Sequence, residues 1–183
     1  RTGRGGQRGI SSGLGDAPRL GTQARPDLFA GHIVLPTTRY DMVAEIDERV
    51  GADGTDIRPL DEEQVRGALL TLRDQGIEAL AIVLMHGWKY SANEQRVAEI
   101  AAARGFTQIS VSHEVAPLIK LVWRGDTTVA DSYLSPVLRP YVDRVEAGLP
   151  DGTALHFLPS TGAPAGPHAL RAQASVPPAP AAA

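Results

Sequence analysis

Apolar residues at Val65, Ala68, Leu69 and Leu72 fall on one helical stripe. Asp61 and Gln64 ahead of them form a capping box, and Gly76 stands where a glycine cap closes a helix. The pattern predicts a helix over Asp61–Gly76. Ala79–Met85 is then a continuous apolar run of strand length. With a helix predicted on each side, it reads as a central parallel strand buried on both faces. Ser91 and Glu94 form a second capping box, for a helix running to near Gly105, and Phe106–Ser112 reads as the next strand. Gly125 and Asp126 break the apolar run Leu118–Trp123. Beyond them, Val129, Tyr133, Leu134, Val137, Leu138, Tyr141, Val142 and Val145 return to helical spacing. Asp126 or Thr127 can cap that helix. Pro136 and Pro140 interrupt it, which predicts a kinked or two-part helix. The order helix, strand, helix, strand, helix specifies an α/β fold: a layered βαβ domain with right-handed crossovers.

Upstream, Tyr40–Val50 reads as a strand, Asp53-Gly54 as a hairpin turn and Thr55–Arg58 as the returning partner. Glu45, Asp47 and Glu48 are either a metal cluster or, more commonly for alternating charge, the wet face of an edge strand. Leu28, Phe29 and Ile33–Leu35 suggest a short buried segment ended by Pro36. Residues 1–24 are rich in Gly and Arg without a hydrophobic period, and are expected to be a disordered end. An Arg-Gly nucleic-acid tail is the alternative there. Residues 160–183 are rich in Ala and Pro and are likewise expected to be disordered. The expected domain is therefore 25–159, with Thr153–Leu158 as a further candidate strand.

A chain of 183 residues with 43% hydrophobic content allows one ordinary core. A net charge of −3 argues against a general nucleic-acid binder. The absence of cysteine excludes disulfides, thiolate metal sites and thiol nucleophiles. No apolar run approaches the roughly 18 residues of a membrane span, and no signal peptide is visible, so a cytoplasmic location without membrane contact is expected. In open α/β sheets ligands bind at the carboxyl ends of the strands. That rule places His86, after the first buried strand, and His113, after the next, on one rim. Ser112 beside His113 is not a nucleophilic pair, because catalysis needs spatial rather than sequential neighbours. Arg124, Asp126, Thr127, Thr128 and Asp131 form the densest polar cluster. At a helix start they could bind an anion, with Arg124 holding a carboxylate in bidentate fashion. Alternatively Asp126 and Thr127 only cap, while Arg124 pairs with Asp131 or Asp143. His32, His86, His113, His156 and His168 lack ligand-like spacing, so no metal site is expected.

The run SVSHEVAPLIKLVWRGDTTVADSYLSPVLRPYVDRV, with RGDTTVADSYLSP its most specific piece, resembles the hydantoinase/oxoprolinase family. The likeness extends through RPLDEEQVRGAL, IVLMHGWKYSANEQRVAEIAAARGFTQ and RPDLFAGHIVLP, covering Gly13 to Gly162. The resemblance implies part of an actin-like ATPase fold, with ATP and Mg2+ as cofactors. The implied substrate is a small cyclic amide, such as 5-oxo-L-proline opened to L-glutamate, and the implied assembly is a homo-oligomer. A hydantoinase subunit and a non-catalytic α/β binding domain are the other readings. The family's Asp-Gly-Gly-Thr phosphate loop and Asn-Gly-Gly loop have no match; Gly5-Gly6 and Ser160-Thr161-Gly162 stand in other contexts. The resemblance thus implies a fragment of the family's N-terminal half with no turnover on its own, and the departure of the tails from the family pattern suggests frame errors at one or both ends.

Overall fold

The computed structural model describes residues 7–11, 40–150, 153, 155 and 156. Four parallel strands form the central sheet: β1 (Gln7–Ser11), β2 (Met42–Glu45), β5 (Ala79–Val83) and β6 (Gln108–Val111), in the order β2-β1-β5-β6. β3 (Arg49–Val50) and β4 (Asp56–Arg58) make a separate antiparallel hairpin. The helices are α1 (Glu62–Asp74), α2 (Ala92–Ala103), the single turn α3 (Ser112–Val115) and α4 (Leu121–Ala147). Because the sheet is parallel, the carboxyl ends of β5 and β6 open onto the same edge.

Strand alternation divides the core into two layers. Leu80 and Ile82 of β5, with Ile109 and Val111 of β6, pack with Val65, Leu69 and Leu72 of α1 and Val97, Ile100 and Ala101 of α2. The opposite face carries Ala81, Val83, Gln108 and Ser110, and α4 lies across it over β1, β5 and β6. There Ser110 Oγ donates to Asp131 Oδ2 of α4 at 2.7 Å, Gln108 Nε2 donates to Ser110 at 3.0 Å, and Ser135 Oγ donates to Asp131 Oδ1 at 3.2 Å. Burying a strand on both faces between helices is what the apolar run Ala79–Met85 predicts, and β5 is central as expected.

The α1 boundaries follow the sequence signals. Asp61 Oδ1 accepts the amides of Glu63 and Gln64, both at 3.0 Å. Gly76 has φ of +80°, the left-handed conformation that glycine adopts without penalty. The reciprocal half of the capping box is absent: Gln64 Oε1 accepts the Asp47 amide at 2.6 Å instead, tying the hairpin to the helix.

Several expectations are corrected. Residues 7–11 fall in the segment expected to be a disordered end, yet they form an inner strand of the sheet. Main-chain pairing with two parallel neighbours supplies what a hydrophobic period does not. Tyr40–Val50 is not one strand: β2 joins the parallel sheet and β3 joins the hairpin. The expected turn at Asp53-Gly54 is present, with Gly54 at φ +92°. The last helix begins at Leu121 and runs unbroken through Pro136 and Pro140 to Ala147. Asp126 and Thr127 therefore lie within it and not at its start. Thr153, Leu155 and His156 are not in a strand. The segment Leu28–Leu35 and the tail 160–183 lie outside the described residues.

Candidate functional site

The edge where β5 and β6 end is built around one buried acid, Glu94, in the first turn of α2. Its carboxylate meets four donors. Oε1 accepts Leu84 N at 2.8 Å and Ser112 Oγ at 2.6 Å. Oε2 accepts His113 N at 3.1 Å and faces His113 Nδ1 at 2.7 Å. A buried acid is tolerated only when its oxygens are matched this way. The expected capping box is thus wrong in its detail: Ser91 makes no side-chain cap, and Glu94 turns inward to bind both strand ends. Gly87 is part of the same fit, because any side chain there would run into the Glu94 carboxylate.

Arg124 completes the cluster from α4 and is wholly buried. Nε donates to Ser112 Oγ at 2.8 Å, and one terminal nitrogen donates to Leu118 O at 2.8 Å. The other reaches Leu84 O, and Met85 O at 3.0 Å. Burial lowers the guanidinium pKa, and the charge of Glu94 opposes that shift. Ser112 Oγ stands between the two charges, accepting from Arg124 and donating to Glu94. The guanidinium fork is spent on main-chain carbonyls and Ser112. Its expected bidentate carboxylate and its expected partners Asp131 and Asp143 are not what it binds.

The remaining predicted residues separate. Thr127 Oγ1 donates to Trp123 O at 2.8 Å, and Thr128 Oγ1 to Arg124 O at 2.6 Å, each reaching one turn back along the helix. Asp126 is exposed on α4, and Asp131 is buried with Ser110 and Ser135 on the sheet side. Asp47 pairs with Arg58 at 2.8 Å, and buried Glu48 accepts Asn93 Nδ2 at 2.9 Å, so these acids hold the hairpin. Among the described residues, no group of three or more His, Asp or Glu side chains could hold a metal ion.

Two predicted residues do reach the rim. His86 sits in the turn after β5, where its carbonyl accepts Lys89 N at 3.0 Å and Tyr90 N at 2.9 Å. Its half-buried ring has no hydrogen bond to another described residue. His113 follows β6, and its side chain is 13% exposed. Its inner nitrogen faces Glu94, and its outer nitrogen lies 4.0 Å from Glu114 Oε1, beyond hydrogen-bond reach. A carboxylate-held imidazole with one nitrogen outward can accept or pass a proton. In the sequence Glu94 presents itself only as the second member of a capping box with Ser91. The available signal was an acid shortly after a fully apolar strand, a position that can look inward as easily as outward.

Residues 9–105 match the N-terminal region of the hydantoinase/oxoprolinase family, just over half the chain. The chain belongs to the hydantoinase/oxoprolinase family. Similar members include 5-oxoprolinase of Saccharomyces cerevisiae, 34% identical over 83% of this chain and 14% of that protein. Another is 5-oxoprolinase 1 of Arabidopsis thaliana, 35% identical over 73% of this chain and 12% of that protein. The chain therefore spans about an eighth of the length of these curated relatives. In structure it is similar to an ATP-dependent caprolactamase from Pseudomonas jessenii, with a TM-score of 0.72 and 27% identity over 87% of this chain and 24% of that one. A nucleotide-free acetone carboxylase shares the fold, with a TM-score of 0.75 at 21% identity, over 93% of this chain and 26% of that one.

Of the residues the sequence offered for an anion, Arg124 is enclosed, and the Thr127 and Thr128 hydroxyls point back into their own helix.

Proposed function

We propose that this chain forms part of an ATP-dependent cyclic amide hydrolase of the 5-oxoprolinase kind, and contributes the edge of an α/β sheet against which the cyclic amide is bound. The observation that carries this reading is the similarity to two proteins named 5-oxoprolinase across 73–83% of the chain. The likeness to an ATP-dependent caprolactamase supports the same chemistry, since caprolactam is also a cyclic amide. ATP would supply the activation that makes the amide carbon open to water. No residue described above is assigned to hold it. The residues of this chain do something narrower. The Glu94–Ser112–Arg124 cluster fixes the ends of β5 and β6, so that the turn 85–89 and α3 form one rigid edge with His86 and His113 on it.

The test is turnover by a protein that carries this sequence within the length its relatives have. With MgATP and 5-oxo-L-proline, release of glutamate and ADP in step is expected. Opening of a hydantoin or caprolactam with no action on 5-oxo-L-proline would reassign the substrate within the family. No nucleotide-dependent ring opening at all would overturn the reading. The 183-residue chain by itself is expected to bind without turnover.

A further inference from the structure

We infer that His113 is a ligand-binding residue of this edge, and that its outer nitrogen, Nε2, accepts a hydrogen bond from the ring N–H of a cyclic amide. The inference rests on the proposed function for the class of ligand, and on geometry for the atom.

The geometry begins with Glu94. Its Oε2 lies 2.7 Å from His113 Nδ1 and 3.1 Å from the His113 amide. A carboxylate only accepts, so the imidazole must present a proton at Nδ1. Whenever the ring is neutral, that proton is its only one, and Nε2 carries a lone pair. The ring cannot turn to offer the opposite tautomer without losing Glu94. Glu94 itself cannot move, because Leu84 N and Ser112 Oγ hold its other oxygen. Arg124 in turn locks Ser112.

The buried side of this arrangement is saturated, and the outward side is open. Glu114 Oε1, 4.0 Å from Nε2, is too distant to bond it. An open lone pair takes a donor and repels an acceptor oxygen. A cyclic amide carries one such donor, its ring N–H. His113 thus touches ligand, while Glu94 acts through it as a positioning residue.

The experiment uses a protein that carries this sequence within the length its relatives have, with 15N-labelled histidine. Long-range 1H–15N spectra read the tautomer, with the His113 signals identified by their loss in His113→Asn. A protonated Nδ1 and an unprotonated Nε2 are expected in the neutral ring. Adding 5-oxo-L-proline with MgATP should shift the Nε2 resonance, and the N-methylated analogue, which lacks the donor, should not. His113→Asn keeps a donor toward Glu94 but deletes Nε2, and should weaken binding of 5-oxo-L-proline about tenfold. His113→Gln, which places an amide near the Nε2 position, should recover part of that loss. A proton on Nε2 in the neutral ring would overturn the inference. So would equal binding of the N-methylated analogue, or binding of 5-oxo-L-proline that leaves Nε2 unmoved while other signals shift; in those cases the functional reading survives. Absence of any cyclic amide binding would overturn both.

Discussion

The most consequential residues of this chain are two that never reach the surface. Glu94 and Arg124 carry opposite charge, share Ser112, and bind main-chain groups that no other side chain satisfies. Removing one member of a buried charged set leaves the other unpaired, which costs about 3–5 kcal/mol. Arg124→Met should lower stability by that amount in urea unfolding, while Arg139→Gln, exposed on the same helix, should stay within about 0.5 kcal/mol. Equal small effects would show that the cluster is not buried as described. Gly87→Ala should also destabilise, because the added methyl meets the Glu94 carboxylate. Residue by residue, the sequence was a fair guide to position and a poor one to role. His86 and His113 were placed on the rim by the strand-end rule, and both are there. Glu94 and Arg124 were misread because adjacency favours local partners. A Ser-x-x-Glu pattern looks like a cap, and an arginine near an Asp-Thr-Thr run looks like an anion site. Which way a side chain turns is decided by the packing of α4 over the sheet, and no local pattern records that.

At the scale of elements, α1 illustrates what local chemistry can specify. Its stripe, its Asp61 cap and its Gly76 terminator agree, and all three are realised. It is also tied to its neighbour α2 by charge. Arg96 Nε donates to Glu62 Oε1 at 2.7 Å, and this bond, with Arg66 nearby, holds the Glu62 carboxyl below its ordinary value of 4.5. A depressed carboxylate stabilises the fold above its unfolded pKa and loses that contribution as pH falls through its folded value. The stability advantage of the parent over Glu62→Gln should therefore be present at pH 7, begin to fade near pH 4.5 and vanish in stronger acid. An advantage that grew on acidification would contradict the ion pair. The α4 helix shows the limit of local reasoning. Two prolines predict a break, but the helix continues because its inner side is fastened to the sheet by Val129, Asp131, Ser132, Ser135 and Val142. Tertiary packing overrides the local cost of each proline. That cost should be recoverable. Pro136→Ala restores a helical amide at an exposed position and should raise stability by about 1–3 kcal/mol, read by thermal unfolding. A loss would mean that the helix needs the proline's shape.

At the scale of the whole molecule, the layered order of helices and strands was legible because buried strands and amphipathic helices have different periods. The inner strand β1 was not. Its residues lie in a Gly- and Arg-rich stretch, and main-chain pairing on both sides holds it in the sheet without a sequence pattern. The outer side of α4 leaves Trp123, Tyr133, Val137 and Tyr141 exposed along one stripe. The cyclic amide proposed for this chain would bind in the opposite part of the molecule, where β5 and β6 end on an edge fixed by Glu94 and Arg124. The most direct measurement is a titration of the 15N-labelled protein with 5-oxo-L-proline in the presence of MgATP, followed by backbone amide shifts. The shifted amides should gather in the turn 84–90 and in Ser112–Val115, around His86 and His113. Shifts confined to the outer face of α4 or to the hairpin, with that edge silent, would contradict it.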